Sequence, residues 1–162
     1  MKRSRLISVI LLGLLLSGAV VQCQQLVIQT DSGKQTLLSR SDLEALPHVK
    51  VTATEHSSGP VNFEGVTVKS VLERVGVTFG ESMKGKRLTS CLLVEAADGY
   101  RAIIALPELD PAFTDKQTIL AFLRDGKPLG ENEGPYRIVI PDEKRMARWV
   151  RQVTTLKVVD VQ

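Results

Sequence analysis

The sequence is poor in the residues that build metal centres and covalent catalytic sites. It contains two histidines, His48 and His56, and no cluster of His and Cys surrounds either of them. It also lacks a Cys-x-x-Cys pair, a glycine-rich phosphate loop and a Gly-x-Ser-x-Gly nucleophile motif. These absences argue against a zinc centre, a dithiol redox protein, a P-loop enzyme and an α/β-hydrolase. We interpret His48 as a surface residue and His56 as a solvated loop residue.

Cysteine and aromatic residues are also scarce. The chain has two cysteines, one Trp, two Tyr and four Phe, so Val, Leu and Ile must fill the core. Cys91 lies in an apolar run that is typical of a strand, and we expect it to be a small buried thiol. Because Cys23 falls in the leader described next, Cys91 would have no partner for an internal disulfide.

The amino terminus has the pattern of a secretory signal peptide. Basic residues in 1–5 precede an apolar run over 6–16 and the small residues of 17–19, and the run is too short to span a membrane. We predict a signal peptide over residues 1–23, a single domain over 24–162, and a periplasmic or secreted protein. A lipid anchor at Cys23 is the alternative, which the preceding Gln22 disfavours.

The charge balance gives no reason to expect nucleic acid as a partner. The chain has 21 basic and 18 acidic residues, and Lys2, Arg3 and Arg5 belong to the leader. Without these three the charges balance, so the basic character of the whole chain is a property of the leader. Only a local cluster of cations over residues 137–151 remains.

The rest of the pattern predicts an α+β domain with many short strands and few helices. Three hairpins are indicated by turn residues between apolar runs. Strands are predicted over 26–30, 34–38, 49–54, 88–96, 100–106, 119–124, 127–129, 136–140 and 155–161. Two helices are predicted over 42–46, capped by Ser41, and over 66–75, capped by Thr67.

The segment 134–151 is the most informative part of the chain. A strand over 136–140 ends at Pro141, and a helix is predicted to follow with Asp142 as its N-cap, because Met146, Val150 and Val153 share helical spacing. A strand-to-helix turn with several arginines is typical of an anion site. The alternative is a solvated basic face that lies over the only tryptophan, Trp149.

Five motifs in this chain resemble the sulfite-oxidase-type molybdopterin-binding domain family, in that family's order. Residues 63–77 (FEGVTVKSVLERVGV) are similar to its "GvpLrdvLeraGv" segment. The others are DGY at 98–100, DGKPL at 125–129, GPYRIVIP at 134–141 and RWVR at 148–151. The resemblance covers about residue 26 to the end and implies a compact mixed-sheet α+β domain and molybdopterin as a cofactor.

The resemblance also implies a place for the cofactor. The segment that helps to hold the phosphate end of the pterin in this family corresponds to the part of the chain that contains Arg137, Lys144, Arg145 and Arg148, with Arg101 on the same side. The alternative is that these cations are ion-pair partners of Asp142, Glu143 and Glu131. Both interpretations stay open at this point.

The cysteine that binds molybdenum in that family is missing. In the family it follows the strand before the helix of the "GvpLrdvLeraGv" segment, where this chain reads VTATEHSSG over 51–59. A Thr, Ser or His does not replace a soft thiolate on this metal. We therefore predict a non-redox module that binds a small anionic ligand or a partner protein. The alternative is a molybdenum-cofactor oxidoreductase, or a subunit of one, with a ligand from elsewhere.

Overall fold

The computed structural model describes residues 25–55, 59–141 and 143–161 as two β-sheets with two short α-helices. The predicted signal peptide, Cys23, His56 and Asp142 lie outside these residues. The strands are β1 (Leu26–Gln29), β2 (Gln35–Leu38), β3 (His48–Thr54), β4 (Pro60–Thr67), β5 (Ser90–Ala96), β6 (Arg101–Ala105), β7 (Ile119–Arg124), β8 (Lys127–Pro128), β9 (Arg137–Val139) and β10 (Val153–Asp160). The helices are α1 (Arg40–Glu44) and α2 (Val68–Arg74). None of the helices in this part of the chain is long and apolar enough to cross a membrane.

The two sheets have different connectivity. The first has the strand order β2-β1-β10-β5-β6, and its first and last strands in sequence, β1 and β10, pair in parallel. The second has the order β3-β4-β7-β8, with β9 also paired to β7, and all of its pairs are antiparallel. Buried aliphatic side chains from both sheets and from α2 form one hydrophobic core. This arrangement confirms the predicted α+β class with a compact mixed-sheet domain.

The hairpins and the second helix were predicted from local signals and are present. The pairs β1–β2, β5–β6 and β7–β8 are antiparallel neighbours. In α2, the Thr67 Oγ1 atom accepts a hydrogen bond of 3.1 Å from the Ser70 N–H, as an N-cap residue should. Cys91 is a buried free thiol, as expected, and burial followed by the negative charge of Asp160 raises its pKa.

Two local predictions need correction. The cap of α1 is Ser39 and not Ser41, because Asp42 completes a capping box by accepting a 2.8 Å hydrogen bond from the Ser39 N–H. Strand β4 was not predicted, since Pro60 and Gly65 weaken its pattern. Gly65 lies at a bulge against β7, where an added Cβ would come within 2.1 Å of the Leu120 carbonyl oxygen.

The predicted helix after Pro141 is wrong. Only a 3₁₀ turn, Met146–Arg148, forms there among the residues described on either side of Asp142. The backbone groups next to this turn form hydrogen bonds with the segment around β9 instead of within a helix. The Ile138 N–H donates to the Val150 carbonyl at 2.8 Å. The Val153 N–H donates to the Tyr136 carbonyl at 2.9 Å. These bonds hold the segment extended against β9, so Val153 begins a strand instead of ending a helix.

Candidate functional site

A buried carboxylate follows strand β3. Glu55 is 8% exposed, and two guanidinium groups hold it: Arg137 Nη2 lies 2.7 Å from Glu55 Oε1, and Arg124 Nη2 lies 2.7 Å from Glu55 Oε2. Arg124 ends β7 and Arg137 begins β9, and these two strands pair with each other. The sheet therefore brings both cations to the end of β3.

Glu133 closes this group into a four-membered network. Its Oε1 lies 2.8 Å from Arg124 Nη1, and its Oε2 lies 3.2 Å from Arg137 Nη1. Two carboxylates and two guanidinium groups give the network a formal charge of zero. We call Glu55, Arg124, Glu133 and Arg137 the Arg137 network. A buried charge is tolerated only when it is paired in this way.

Aromatic rings cover the guanidinium group of Arg137, which is 1% exposed. Its Cζ atom lies 5.3 Å from the ring centre of Phe63 and 5.5 Å from that of Trp149. The two rings meet edge to face, with centres 6.2 Å apart. Cation–π attraction is strongest where water is excluded, so these rings stabilise the cation that the carboxylates also hold.

The environment of Glu55 keeps it ionised at neutral pH. Burial raises the pKa of this carboxyl, but the hydrogen bond from Arg137 and the charges of Arg137, Arg124 and Arg151 outweigh burial, so the pKa lies below its ordinary value. The carboxylate is therefore a fixed acceptor for the arginines and not a proton donor near pH 7.

A cavity of about 360 Å³ adjoins the network. It is lined by Asp98, Tyr100, Asn132, Arg137, Met146, Ala147, Trp149, Val150, Arg151 and Gln152. Three buried donor atoms of these lining residues, Arg137 Nε, Arg137 Nη1 and Trp149 Nε1, have no hydrogen-bond partner among the described residues and almost no accessible surface. Gln152 has a positive φ of 48°, a strained conformation that is often found at functional sites.

Arg148 has a different role from Arg137. It donates to both oxygens of Glu108, at 3.2 and 3.1 Å, and also to Glu143. Its hydrogen bond to Glu108 first, and then that to Glu143, raise the Arg148 pKa against the effect of burial. Arg148 Nη1 also donates to the Ile103 carbonyl at 3.4 Å. The side chain thus caps the free edge of β6, and we call Arg148, Glu108 and Glu143 the Arg148 clasp.

The structure does not bring the five predicted cofactor-binding cations together around one cavity. Of Arg101, Arg137, Lys144, Arg145 and Arg148, only Arg137 lines the cavity beside Trp149. Lys144 and Arg145 are exposed and line a separate, more open cavity, and Arg101 is exposed at the start of β6. Binding roles for these cations stay predictions. The ion-pair alternative holds for Arg148, which pairs with Glu143. For Glu131, the contact found is a backbone one: its carbonyl oxygen accepts a hydrogen bond from the Gln152 side chain.

Sequence reasoning missed part of this site. Glu55 was not a candidate, because it is distant in sequence from both of its arginines, and Glu133 was missed although it precedes Arg137 by only four residues. Arg151 was noticed only as part of a basic series, although it lines the cavity. The available signal was the lone tryptophan, since a single Trp beside several arginines in a core of aliphatic residues marks an unusual environment.

Metal-binding side chains are not grouped in the described part of the chain. No set of three or more His, Cys, Asp or Glu residues is arranged to hold a metal ion there. Where the resemblance places the thiolate, Thr54 ends β3 and the Glu55 carboxylate is engaged by two arginines. Cys91 lies in the other sheet and is not part of the cavity wall.

Comparison with known proteins gives the family. No curated protein matches the chain. Among solved structures, the sulfane dehydrogenase SoxCD from Paracoccus pantotrophus is similar, with a TM-score of 0.66 and 20% identity. The similarity covers 85% of this chain but 38% of that one, so this chain spans well under half of its structural neighbour. Residues 21–162 match the oxidoreductase molybdopterin binding domain. The chain therefore belongs to the oxidoreductase molybdopterin-binding domain family.

Proposed function

We propose that this protein is an exported, non-redox binding module that holds a small anionic ligand in the cavity beside Trp149. The observation that carries the proposal is the cavity itself, whose lining includes Arg137, Trp149 and the exposed Arg151. Export is supported by the leader-like residues 1–23. Arg137 is the one predicted cofactor-binding residue that this proposal uses.

A molybdenum centre does not fit the residues present. The metal in a pterin dithiolene site takes a soft thiolate from the protein, and residues 51–59 contain no cysteine. The carboxylate nearest to that position, Glu55, already pairs with Arg137 and Arg124. Displacing it would leave the buried Arg137 and the partly exposed Arg124 to share one carboxylate, Glu133, which is unfavourable for a buried cation. We therefore derive no reaction step through this cofactor.

Arg151 is the second arginine of the cavity wall. It is exposed, lines the cavity and belongs neither to the Arg137 network nor to the Arg148 clasp. An anion at this wall would lie near the Arg151 guanidinium group and accept hydrogen bonds from it. Charge-assisted hydrogen bonds of this kind are about twice as strong as neutral ones.

Titration of the intrinsic fluorescence with sulfate, inorganic phosphate and acetate tests the proposal, because Trp149 is the only tryptophan. We expect a saturable change in emission with at least one of these anions. Arg151→Ala should weaken that response about fivefold or more. The matched control is Arg74→Ala, which removes an exposed arginine outside the cavity wall. An unchanged emission with all three anions, or an equal loss in the control, would contradict the proposal.

The second candidate function is a subunit of a larger oxidoreductase. The similarity over 85% of this chain to a sulfane dehydrogenase favours it, because the chain spans only 38% of that protein and a partner protein would supply the rest. Under this alternative, protein purified from a host that makes the cofactor would carry the visible absorption of a bound pterin. Colourless protein with saturable anion binding supports the binding module instead.

A further inference from the structure

We infer that the free edge of strand β3 pairs with β3 of a second copy of this chain, in an antiparallel arrangement centred on Val51. The pairing does not involve the cavity beside Trp149, so it is independent of the proposed ligand. Three observations carry it: the other sheet edges are short or covered, the edge of β3 is long and open, and the side chains of β3 match those of an antiparallel copy.

The other sheet edges in the described part of the chain are short or covered. β2 has four residues and β8 has two, one of which is Pro128. β6 is covered by Arg148, which donates to the Ile103 carbonyl at 3.4 Å. β9 is buried, and its Ile138 N–H donates to the Val150 carbonyl at 2.8 Å. Proteins commonly use such short, proline-containing or covered edges to prevent strand pairing between molecules.

Strand β3 has none of these protections. It is seven residues long, contains no proline, and pairs with β4 from His48 to Thr54 without a bulge. Among the described residues, no backbone hydrogen bond joins β3 to a strand other than β4. Its lysine does not guard the edge either, because Lys50 Nζ lies 3.1 Å from Glu64 Oε2 on β4. The free edge therefore offers backbone N–H and C=O groups to another strand.

The side chains of β3 are compatible with a second copy of the same strand. Antiparallel pairing centred on Val51 places Lys50 opposite Thr52 of the second copy, and Val49 opposite Ala53. Residues directly opposite each other lie on the same face of a sheet, so polar side chains meet polar ones and apolar side chains meet apolar ones. Centring the pair on Lys50 would oppose two lysines, and centring it on Thr52 would shorten it by two residues. Only the arrangement around Val51 keeps the full length of β3 without opposing like charges.

Sedimentation velocity of the purified protein over a range of concentrations tests this pairing. A single strand pair is a small interface, so we expect a reversible equilibrium between monomer and dimer. Thr52 is exposed, and Thr52→Lys would oppose Lys50 of the second copy at two symmetric positions. The dimer should then be weakened about fivefold or more. Thr52→Glu places opposite charges at the same positions and should tighten the dimer about threefold.

The matched control is Gln35→Lys, which adds the same charge at an exposed position of β2 in the other sheet. It should leave the dissociation constant of the dimer unchanged, and circular dichroism should show the same fold in all three variants. A wild-type protein that is monomeric at every concentration would overturn the pairing. Equal weakening by Gln35→Lys, or a shift in the same direction for Thr52→Lys and Thr52→Glu, would also overturn it, because the dimer would then form through another surface.

Discussion

Two arginines from one short stretch of sequence form networks of the same chemistry in different surroundings. Arg137 is 1% exposed, and its two carboxylate partners are 9% and 15% exposed at their side chains. Arg148 is 30% exposed, and its partners Glu108 and Glu143 are 40% and 11% exposed. Desolvation is what separates them: removing one partner of a buried pair leaves a charge without water, whereas an exposed pair is screened. Arg137 therefore belongs to the wall of the candidate site, whereas Arg148 covers the edge strand β6.

Arg137→Ala should give the largest effect, because it leaves Glu55 and Glu133 buried beside a cavity with half of their cations removed. We expect a loss of about 3–5 kcal/mol in the free energy of unfolding. Urea denaturation followed by circular dichroism measures it. A loss below about 1 kcal/mol would mean that water reaches this network and that the contrast with Arg148 is wrong.

Glu55→Gln should have an intermediate effect that depends on pH. The pKa of Glu55 is lowered in the folded state, so its contribution is present above the unfolded value near 4.5 and is lost as the pH falls through the lower folded value. Near pH 7 the variant should lose about 2 kcal/mol. As the medium becomes acidic the difference between variant and wild type should shrink.

Unfolding free energies of both proteins across this acidic range measure the convergence. Glu108→Gln is the matched comparison, because the pKa of Glu108 is also lowered by its arginine against burial, but the group is exposed and screened. A difference between Glu55→Gln and the wild type that stays constant with pH would show that the Glu55 charge is not what the network depends on.

Arg148→Ala should give the smallest loss, about 1 kcal/mol, because the clasp is partly exposed. The substitution also affects the edge strand β6, because the Ile103 carbonyl would lose the hydrogen bond that Arg148 donates. The Ile103 residue at this edge is 56% exposed. An uncovered edge strand promotes association. Sedimentation should show more dimer for the variant than for Lys144→Ala, and a loss as large as that of Arg137→Ala would remove the distinction between the networks.

The fold was predictable where the signals are local. Asp-Gly turns at 98–99 and 125–126 fix two hairpins, and Thr67 caps α2, because each depends on a few neighbouring residues. The helix after Pro141 was not predictable in this way. Helical spacing of Met146, Val150 and Val153 was overridden by backbone hydrogen bonds to the strand that precedes it. Tertiary pairing outweighs periodicity in a segment this short.

The candidate site was predictable only in part. Arg137 and Trp149 stand out from the sequence by charge and rarity, and Glu133 is only four residues from Arg137, but Glu55 comes from a distant part of the chain. Glu55 meets Arg137 because β9 pairs with β7 and β7 with β4, an arrangement that no short motif encodes. Whether a cation faces solvent or a buried carboxylate depends on such pairings. The sequence therefore indicates a cationic segment. In the fold, Arg137 and Arg151 of this segment line the cavity, and Arg148 forms the Arg148 clasp.

The molybdenum content of the purified protein tests the central claim most directly. The full chain would be produced in a host that makes the molybdenum cofactor, and the ratio of metal to protein would be measured by plasma mass spectrometry. A binding module whose Glu55 carboxylate is already held by Arg124 and Arg137 should contain far less than one molybdenum per chain. One molybdenum per chain would contradict the binding-module claim and support a molybdenum-cofactor oxidoreductase, or a subunit of one.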